Sequence, residues 1–165
     1  MDLLIDTNVL IHLLHPTSNA EAGLTRQLLD WDRAGHVRIL VSAASGNEQG
    51  RSPAQLAFEV EMLGLAPDRI VEISERSERV LNQISEILGH RKEGDWYDAL
   101  MVYTALDRIQ QGHDTWLVTG DRNILRHVEF LKVIMPLTIL NLRGVVNRLK
   151  VDFPLTITRK FSSTL

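Results

Sequence analysis

Five short apolar runs, each bounded by polar or turn residues, recur along the chain and alternate with longer segments of helical period. The runs are Leu3–Ile5, Ile39–Val41, Ile70–Ile73, Trp116–Val118 and Leu137–Leu140. Runs of this length, apolar at nearly every position, are typical of strands that are buried on both faces. Strands that alternate with helices favour right-handed crossovers and a parallel sheet. The pattern therefore predicts an α/β fold, a three-layer sandwich around a central, mostly parallel five-stranded sheet.

The segments between the runs carry helix signals. Ser18 and Glu21 form a capping-box pattern ahead of an apolar stripe, which predicts the first long helix. Ser52-Pro53 is typical of an N-cap followed by the first helical residue, and Ser74 is predicted to cap the next helix. Another long helix is predicted from about Asp95 to Gln111, with Ala99, Val102, Tyr103 and Leu106 facing the core and Gly112 as its stop.

Composition and charge exclude several classes of protein. The 165 residues suit one domain, with the alternating pattern over residues 1–150 and a C-terminal tail predicted for residues 151–165. A net charge of -3 excludes the broad basic field of proteins that coat nucleic acid. The sequence has no cysteine, so disulfides, thiolate zinc sites and a cysteine nucleophile are excluded. An acidic start and no apolar run long enough to cross a bilayer predict a cytoplasmic protein.

Acidic residues follow two of the predicted strands. Asp6 comes directly after the first strand and Asp121 after the fourth, so both are expected at the C-terminal edge of the sheet, where ligands bind. Asp95 and Asp98 are three residues apart on one predicted helix and fall at the head of its buried stripe. Buried carboxylates without partners are costly, and no inward Lys or Arg is evident at this spacing. The arrangement predicts a hard divalent cation held by oxygen ligands.

Helix capping is the alternative role for each acid taken singly. Asp6, Asp95 and Asp121 each precede a predicted helix, and Asp is a favoured N-cap residue. Capping does not explain the small polar residues around two of these acids, Thr7-Asn8 and Thr119-Gly120, which suit the binding of metal-bound water. Taken together, the acids therefore favour a metal site over isolated caps.

Three blocks of the sequence resemble motifs of the PIN-domain ribonucleases, the family that includes the VapC-type toxins of toxin–antitoxin pairs. The blocks are Ile5–Ile11, Asp98–Leu106 and Leu117–Asn123. They occur in the order of the family's motifs and on the expected elements, and Leu137–Leu149 suits the family's last strand and helix. The resemblance covers residues 1 to about 150 and implies a PIN-like fold.

The second acidic motif of the family leaves two candidates in this chain. The family has a Glu that is typically six residues after a Ser, and Ser42 to Glu48 reproduces that interval. Glu48 is the preferred residue, although glycines interrupt the helix that should present it. Glu59, beside the apolar stripe of the next helix, is the alternative. The family often carries another acid where this chain has Asn123, a difference that is compatible with a weaker second metal site.

The resemblance implies a metal-dependent endoribonuclease that hydrolyses RNA phosphodiester bonds with water as the nucleophile. The implied ligands of Mg²⁺ or Mn²⁺ are Asp6, Glu48, Asp98 and Asp121, which are also the implied catalytic residues. Supporting roles are expected for Thr7, Asn8, Asp95, Thr119 and Asn123. Two arginines, Arg51 and Arg122, are expected to contact phosphates of the substrate. The resemblance also implies a homodimer and a small antitoxin protein as partner.

Two other functions stay open on the sequence alone. A PIN-like scaffold with a degraded site would bind RNA or a protein without cleavage, and the context of Glu48 together with Asn123 leaves this alternative open. An aspartate-dependent phosphatase that used Asp6 as nucleophile would need a second Asp two residues later. This chain has Asn8 at that position, which disfavours the phosphatase.

Overall fold

Five parallel strands form the centre of the protein in a computed structural model that describes residues 1–44, 50–89 and 96–154. The strands are Asp2–Ile5 (β1), Arg38–Ser42 (β2), Ile70–Val71 (β3), Thr115–Val118 (β4) and Thr138–Leu140 (β5). They pair in the order β3-β2-β1-β4-β5, and all four neighbouring pairs are parallel. The predicted fold class is confirmed.

Eight α-helices lie in the described part of the chain and cover both faces of the sheet. They are Thr7–Leu14 (α1), Asn19–Arg33 (α2), Pro53–Met62 (α3), Glu78–Ile87 (α4), Trp96–Gln110 (α5), Arg122–Arg126 (α6), Val128–Leu131 (α7) and Leu142–Asp152 (α8). Successive side chains of a strand point to opposite faces, so Leu3 and Ile5 pack with α1, α2, α3 and α8, whereas Leu4 packs with α4 to α7. Within the described ranges, no helix has the length and apolar character needed to span a membrane.

The capping predictions give two different outcomes. The N-cap at Ser18 is confirmed, since its Oγ accepts from the Glu21 backbone N–H at 3.2 Å, but the Glu21 carboxylate accepts from Thr17 and not from the Ser18 N–H that a full capping box would use. The Thr17 hydroxyl and backbone N–H both donate to the Glu21 carboxylate, which lowers the pKa of Glu21. The predicted cap at Ser74 is wrong, because α4 begins after Ser77.

Ser74 instead contributes to a hydrogen-bond network around a buried acid. Its backbone N–H and its hydroxyl each donate to the carboxylate of Asp107 at 2.9 Å. Gln111 Nε2 donates to the same carboxylate at 2.8 Å. A buried charge requires hydrogen-bond donors, and Asp107 is only 4% exposed. This requirement explains why Ser74 lies against α5 and the next serine caps α4.

Candidate active site at the carboxyl edge of the sheet

Strands β1 and β4 flank the point where the strand order reverses. From β1 the sheet continues to β2 and β3 on one side and to β4 and β5 on the other. Ligands of open parallel sheets bind outside the carboxyl ends of the strands at such a point. Ile5 pairs with Val118 in the register, so Asp6 and Thr119, which follow them, lie side by side at this edge.

A single hydroxyl connects two of the predicted site residues. Thr119 Oγ1 donates to Asp6 Oδ2 and accepts a hydrogen bond from the Asp121 backbone N–H at 3.0 Å. Thr119 is fully buried and Asp6 is 5% exposed. The carboxylate of Asp6 is therefore fixed in orientation next to the start of α6.

Both strand-end acids also act as helix caps. Asp6 Oδ1 accepts from the Val9 N–H of α1 at 2.8 Å, and Asp121 Oδ1 accepts from the Ile124 N–H of α6 at 2.8 Å. The capping alternative is confirmed for these two residues. It does not exclude coordination, because a carboxylate offers about four acceptor positions and ligating carboxylates are commonly held by hydrogen bonds.

Asp98 lies toward the same edge because of the direction of α5. Near the C-terminal end of this helix, Arg108 pairs with Asp2 at the first residue of β1. Thr104 Oγ1, four residues earlier, is 3.1 Å from Ser42 Oγ at the end of β2. Helix α5 therefore runs antiparallel to the strands. Asp98 is half-buried in its first turn and lies about 9 Å along the helix axis from Thr104, in the direction of the carboxyl edge.

The three described acids do not make a complete metal site by themselves. No three His, Asp or Glu side chains form a group that could hold a metal ion within residues 1–44, 50–89 and 96–154. Two further predicted residues, Glu48 and Asp95, lie outside these ranges. Mg²⁺ is usually bound through one or two carboxylates with water and substrate phosphates. The carboxylate and hydroxyl oxygens at this edge are the donor type that such hard cations prefer.

The small polar residues after β1 differ in their surroundings. Thr7 is 2% exposed in the first turn of α1, whereas Asn8 is exposed on the same turn. Thr7 is therefore fixed beside Asp6 inside the protein. Asn8 is placed where it can meet a molecule from solvent.

Glu59, the alternative second acid, points inward but is paired with a cation. Its Oε1 lies 3.0 Å from Arg51 Nε, and each of the two side chains is 13% exposed. Arg51, which precedes the start of the helix that carries Glu59, compensates the negative charge of the Glu59 carboxylate. That carboxylate therefore needs no metal ion to neutralise it. It also holds the Arg51 guanidinium inside the protein, whereas Arg122 is exposed.

Asn123 has a structural contact that an acid could not make. Its Nδ2 donates to the Leu88 carbonyl at 2.9 Å, and Leu88 is the C-cap of α4. This bond ties the start of α6 to the end of α4. A carboxylate has no hydrogen to donate, and it would meet the negative end of the helix. The amide at position 123 is thus explained by helix packing.

Replacing Asn123 with Asp is expected to lower the free energy of unfolding by about 1 to 3 kcal/mol, because the Leu88 carbonyl loses its donor and faces a negative charge. Urea denaturation measures the effect. The matched control is Asn147→Asp on the exposed side of α8, which is expected to change stability by less than about 0.5 kcal/mol. Equal stabilities of the two variants would contradict the role of this hydrogen bond.

Two buried hydroxyls at this edge were missed in the sequence. Ser42 is 1% exposed and Thr104 fully buried, and they hydrogen-bond to each other across the β2–α5 interface. In the sequence pattern, Ser42 matters only for its interval to Glu48. A threonine within the otherwise apolar stretch Ala99–Leu106 was the available signal, because a buried hydroxyl needs a partner.

Comparison with known proteins assigns no family to the chain. No family model, no curated protein and no solved structure matches it. The side chains at the carboxyl edge and the three short blocks of motif resemblance are therefore the basis for proposing a function.

Proposed function

We propose that this protein is a metal-dependent endoribonuclease of the PIN-domain type, with its active site at the carboxyl ends of β1 and β4. The observation that carries the proposal is the buried Asp6 carboxylate, joined through Thr119 to Asp121 at the reversal of strand order. The direction of α5 supports it by bringing Asp98 toward the same edge. The blocks of resemblance contain these same residues and so support the same assignment.

Asp6, Asp98 and Asp121 would hold one Mg²⁺ or Mn²⁺ in this proposal, with Glu48 as a further ligand expected from the sequence. When bound, the cation polarises the scissile phosphate and lowers the pKa of a coordinated water. Thr119 keeps the Asp6 carboxylate in one orientation through its hydrogen bond. The resemblance implies attack by water on the phosphorus with cleavage of the P–O3′ bond, which would leave a 5′-phosphate and a 3′-hydroxyl.

Thr119→Val is expected to lower RNA cleavage by about 10- to 100-fold, since this change keeps the side-chain shape but removes the hydroxyl that orients Asp6. It also leaves the Asp121 N–H without its acceptor and is expected to cost about 1 to 3 kcal/mol of stability. The assay compares initial cleavage rates well below the melting temperature of each variant. Thr119→Ser retains the hydroxyl and is expected to restore most of the rate; loss of activity in both variants alike would argue against this orienting role.

A scaffold that binds RNA or a protein without cleavage is the second candidate function. It is favoured by the absence of a three-carboxylate group among the described residues. A single-stranded RNA incubated with Mn²⁺ and, separately, with EDTA distinguishes the two. Cleavage that requires the metal supports the nuclease, whereas binding without cleavage supports the scaffold.

A cytoplasmic location is a further part of the proposal, expected from the sequence, and the resemblance supports two more: a homodimer and a small antitoxin protein as partner. An antitoxin peptide would enter the carboxyl edge and place an arginine against the carboxylates, since a guanidinium pairs well with them. Sedimentation of the chain with and without the product of a neighbouring short gene tests the last two parts.

A further inference from the structure

Helices α6 and α7 present two arginines and a phenylalanine beside the acidic edge. Ile124 and Leu131 are each 1% exposed and seven residues apart, so they define the inner side of this segment. Arg122 and Arg126 are exposed and four residues apart on α6, and Phe130 is exposed on α7 after the turn at His127, so all three lie on the outer side. Phe130 is 64% exposed. We refer to Arg122, Arg126 and Phe130 as the α6–α7 surface.

The two arginines of this surface carry uncompensated charge. Neither has an ion-pair partner in the part of the chain that the structure describes. Six other arginines each pair with a carboxylate: Arg33, Arg38, Arg51, Arg69, Arg76 and Arg108. The nearby Glu129 is neutralised by Lys132, whose Nζ lies 2.9 Å from its Oε1. The two guanidinium groups therefore give this surface two positive charges beside the carboxylate of Asp121.

Phe130 forms one wall of an open groove between α4 and α7. The groove has a volume of about 350 Å³ and is lined by Gln83, Glu86, Ile87, Phe130, Val133 and Ile134. An aromatic wall and aliphatic neighbours suit the face of a nucleobase, and an amide with a carboxylate can bond to its edge. The groove lining contains one carboxylate, Glu86, and no cation, so any attraction for phosphates comes from Arg122 and Arg126 beside it.

We propose that the groove takes an unstacked base of single-stranded RNA, while Arg122 and Arg126 hold the phosphates between that base and the acidic edge. Arg122 and Arg126 are one and five residues from Asp121, and Phe130 is nine residues from it. Nine residues span at most about 30 Å even when fully extended, so one strand can reach both places. The inference rests on the proposed function, because it gives the path of the substrate to that site.

RNA affinity in EDTA tests the groove without cleavage. Fluorescence anisotropy of a labelled single-stranded RNA of mixed sequence is measured over a range of salt concentrations. Arg122→Ala/Arg126→Ala is expected to weaken binding at least about ten-fold at low salt and to reduce the salt slope by about 1.4, which corresponds to two lost phosphate contacts. Phe130→Ala is expected to weaken binding about five-fold or more, with an unchanged salt slope, because a stacked base is lost.

Matched control variants lie on the opposite face of the sheet. Arg26→Ala/Lys150→Ala removes two exposed cations from α2 and α8, and Phe58→Ala removes a phenylalanine that is 60% exposed on α3. Both controls are expected to bind RNA as the wild type does. Equal affinity of all variants, or no RNA binding by the wild type, would overturn the proposal. So would a change of oligomeric mass in Phe130→Ala with unchanged RNA affinity, since the groove would then be a protein interface.

Binding and cleavage separate this inference from the proposed function. RNA binding that depends on the α6–α7 surface, without cleavage in Mn²⁺, would retain the groove and reject the nuclease. If cleavage depends on Asp6 but the groove variants bind RNA with wild-type affinity, the nuclease proposal stands and the proposed role of the groove is rejected.

Discussion

Replacing Asp6 with Asn is expected to reduce metal-dependent RNA cleavage by about 100- to 1,000-fold. The amide removes the negative charge that binds a divalent cation. A bound cation stabilises the transition state by several kcal/mol, and about 1.4 kcal/mol corresponds to a ten-fold change in rate. Asn is as good an N-cap as Asp, so the hydrogen bond to the Val9 N–H can be retained and α1 should keep its start. The substitution thus separates coordination from capping.

The rate is measured on a single-stranded RNA with Mn²⁺, and circular dichroism verifies the fold of each variant. Asp98→Asn is expected to cause a loss of similar size. Asp114→Asn is the matched control, since Asp114 is exposed and precedes β4 at the opposite edge of the sheet. Cleavage by Asp6→Asn at the wild-type rate would contradict the proposed site.

Arg108→Ala is expected to destabilise the protein by about 3 to 5 kcal/mol, the usual cost of removing one partner from a buried ion pair. Arg108 and Asp2 are 9% and 8% exposed, and their contact fixes the end of α5 against the start of β1. Without the guanidinium, the Asp2 carboxylate stays buried and uncompensated. Urea denaturation at neutral pH measures the loss.

A double variant identifies the origin of that loss. Asp2→Asn/Arg108→Leu removes both charges, so it is expected to be more stable than Arg108→Ala alone. Arg33→Ala is the matched control, because the Arg33–Asp30 pair is 65% exposed at both side chains and is expected to contribute less than about 1 kcal/mol. If Arg108→Ala and Arg33→Ala cost the same, the buried pair does not anchor α5.

The sheet could be predicted from the sequence because its strands are buried on both faces. Leu3, Leu4 and Ile5 are fully buried, and such positions must be apolar wherever two layers of helices cover a sheet. Parallel pairing then places Asp6 and Asp121 at one edge, since Asp6 directly follows β1 and Asp121 comes three residues after the end of β4. The location of these acids is therefore a consequence of topology that local sequence can reveal.

Contacts between distant residues could not be predicted in this way. Ser74 and Ser77 are both suitable caps, and only the position of the buried Asp107 on α5 decides between them. The pairing of Glu59 with Arg51 depends in the same way on packing at the start of α3. Asn123 resembled a lost acid in the sequence, whereas in the fold it is a donor to the Leu88 carbonyl.

Anomalous diffraction from a crystal grown with Mn²⁺ locates the cation without reference to activity. The proposed site predicts one anomalous peak within about 2.0 to 2.6 Å of a carboxylate oxygen of both Asp6 and Asp98, at the carboxyl ends of β1 and β4. The same peak should be absent in crystals of Asp6→Asn. A saturated crystal with no peak at this edge, or with carboxylates of Asp6 and Asp98 too far apart to share an ion, would contradict the metal-dependent nuclease.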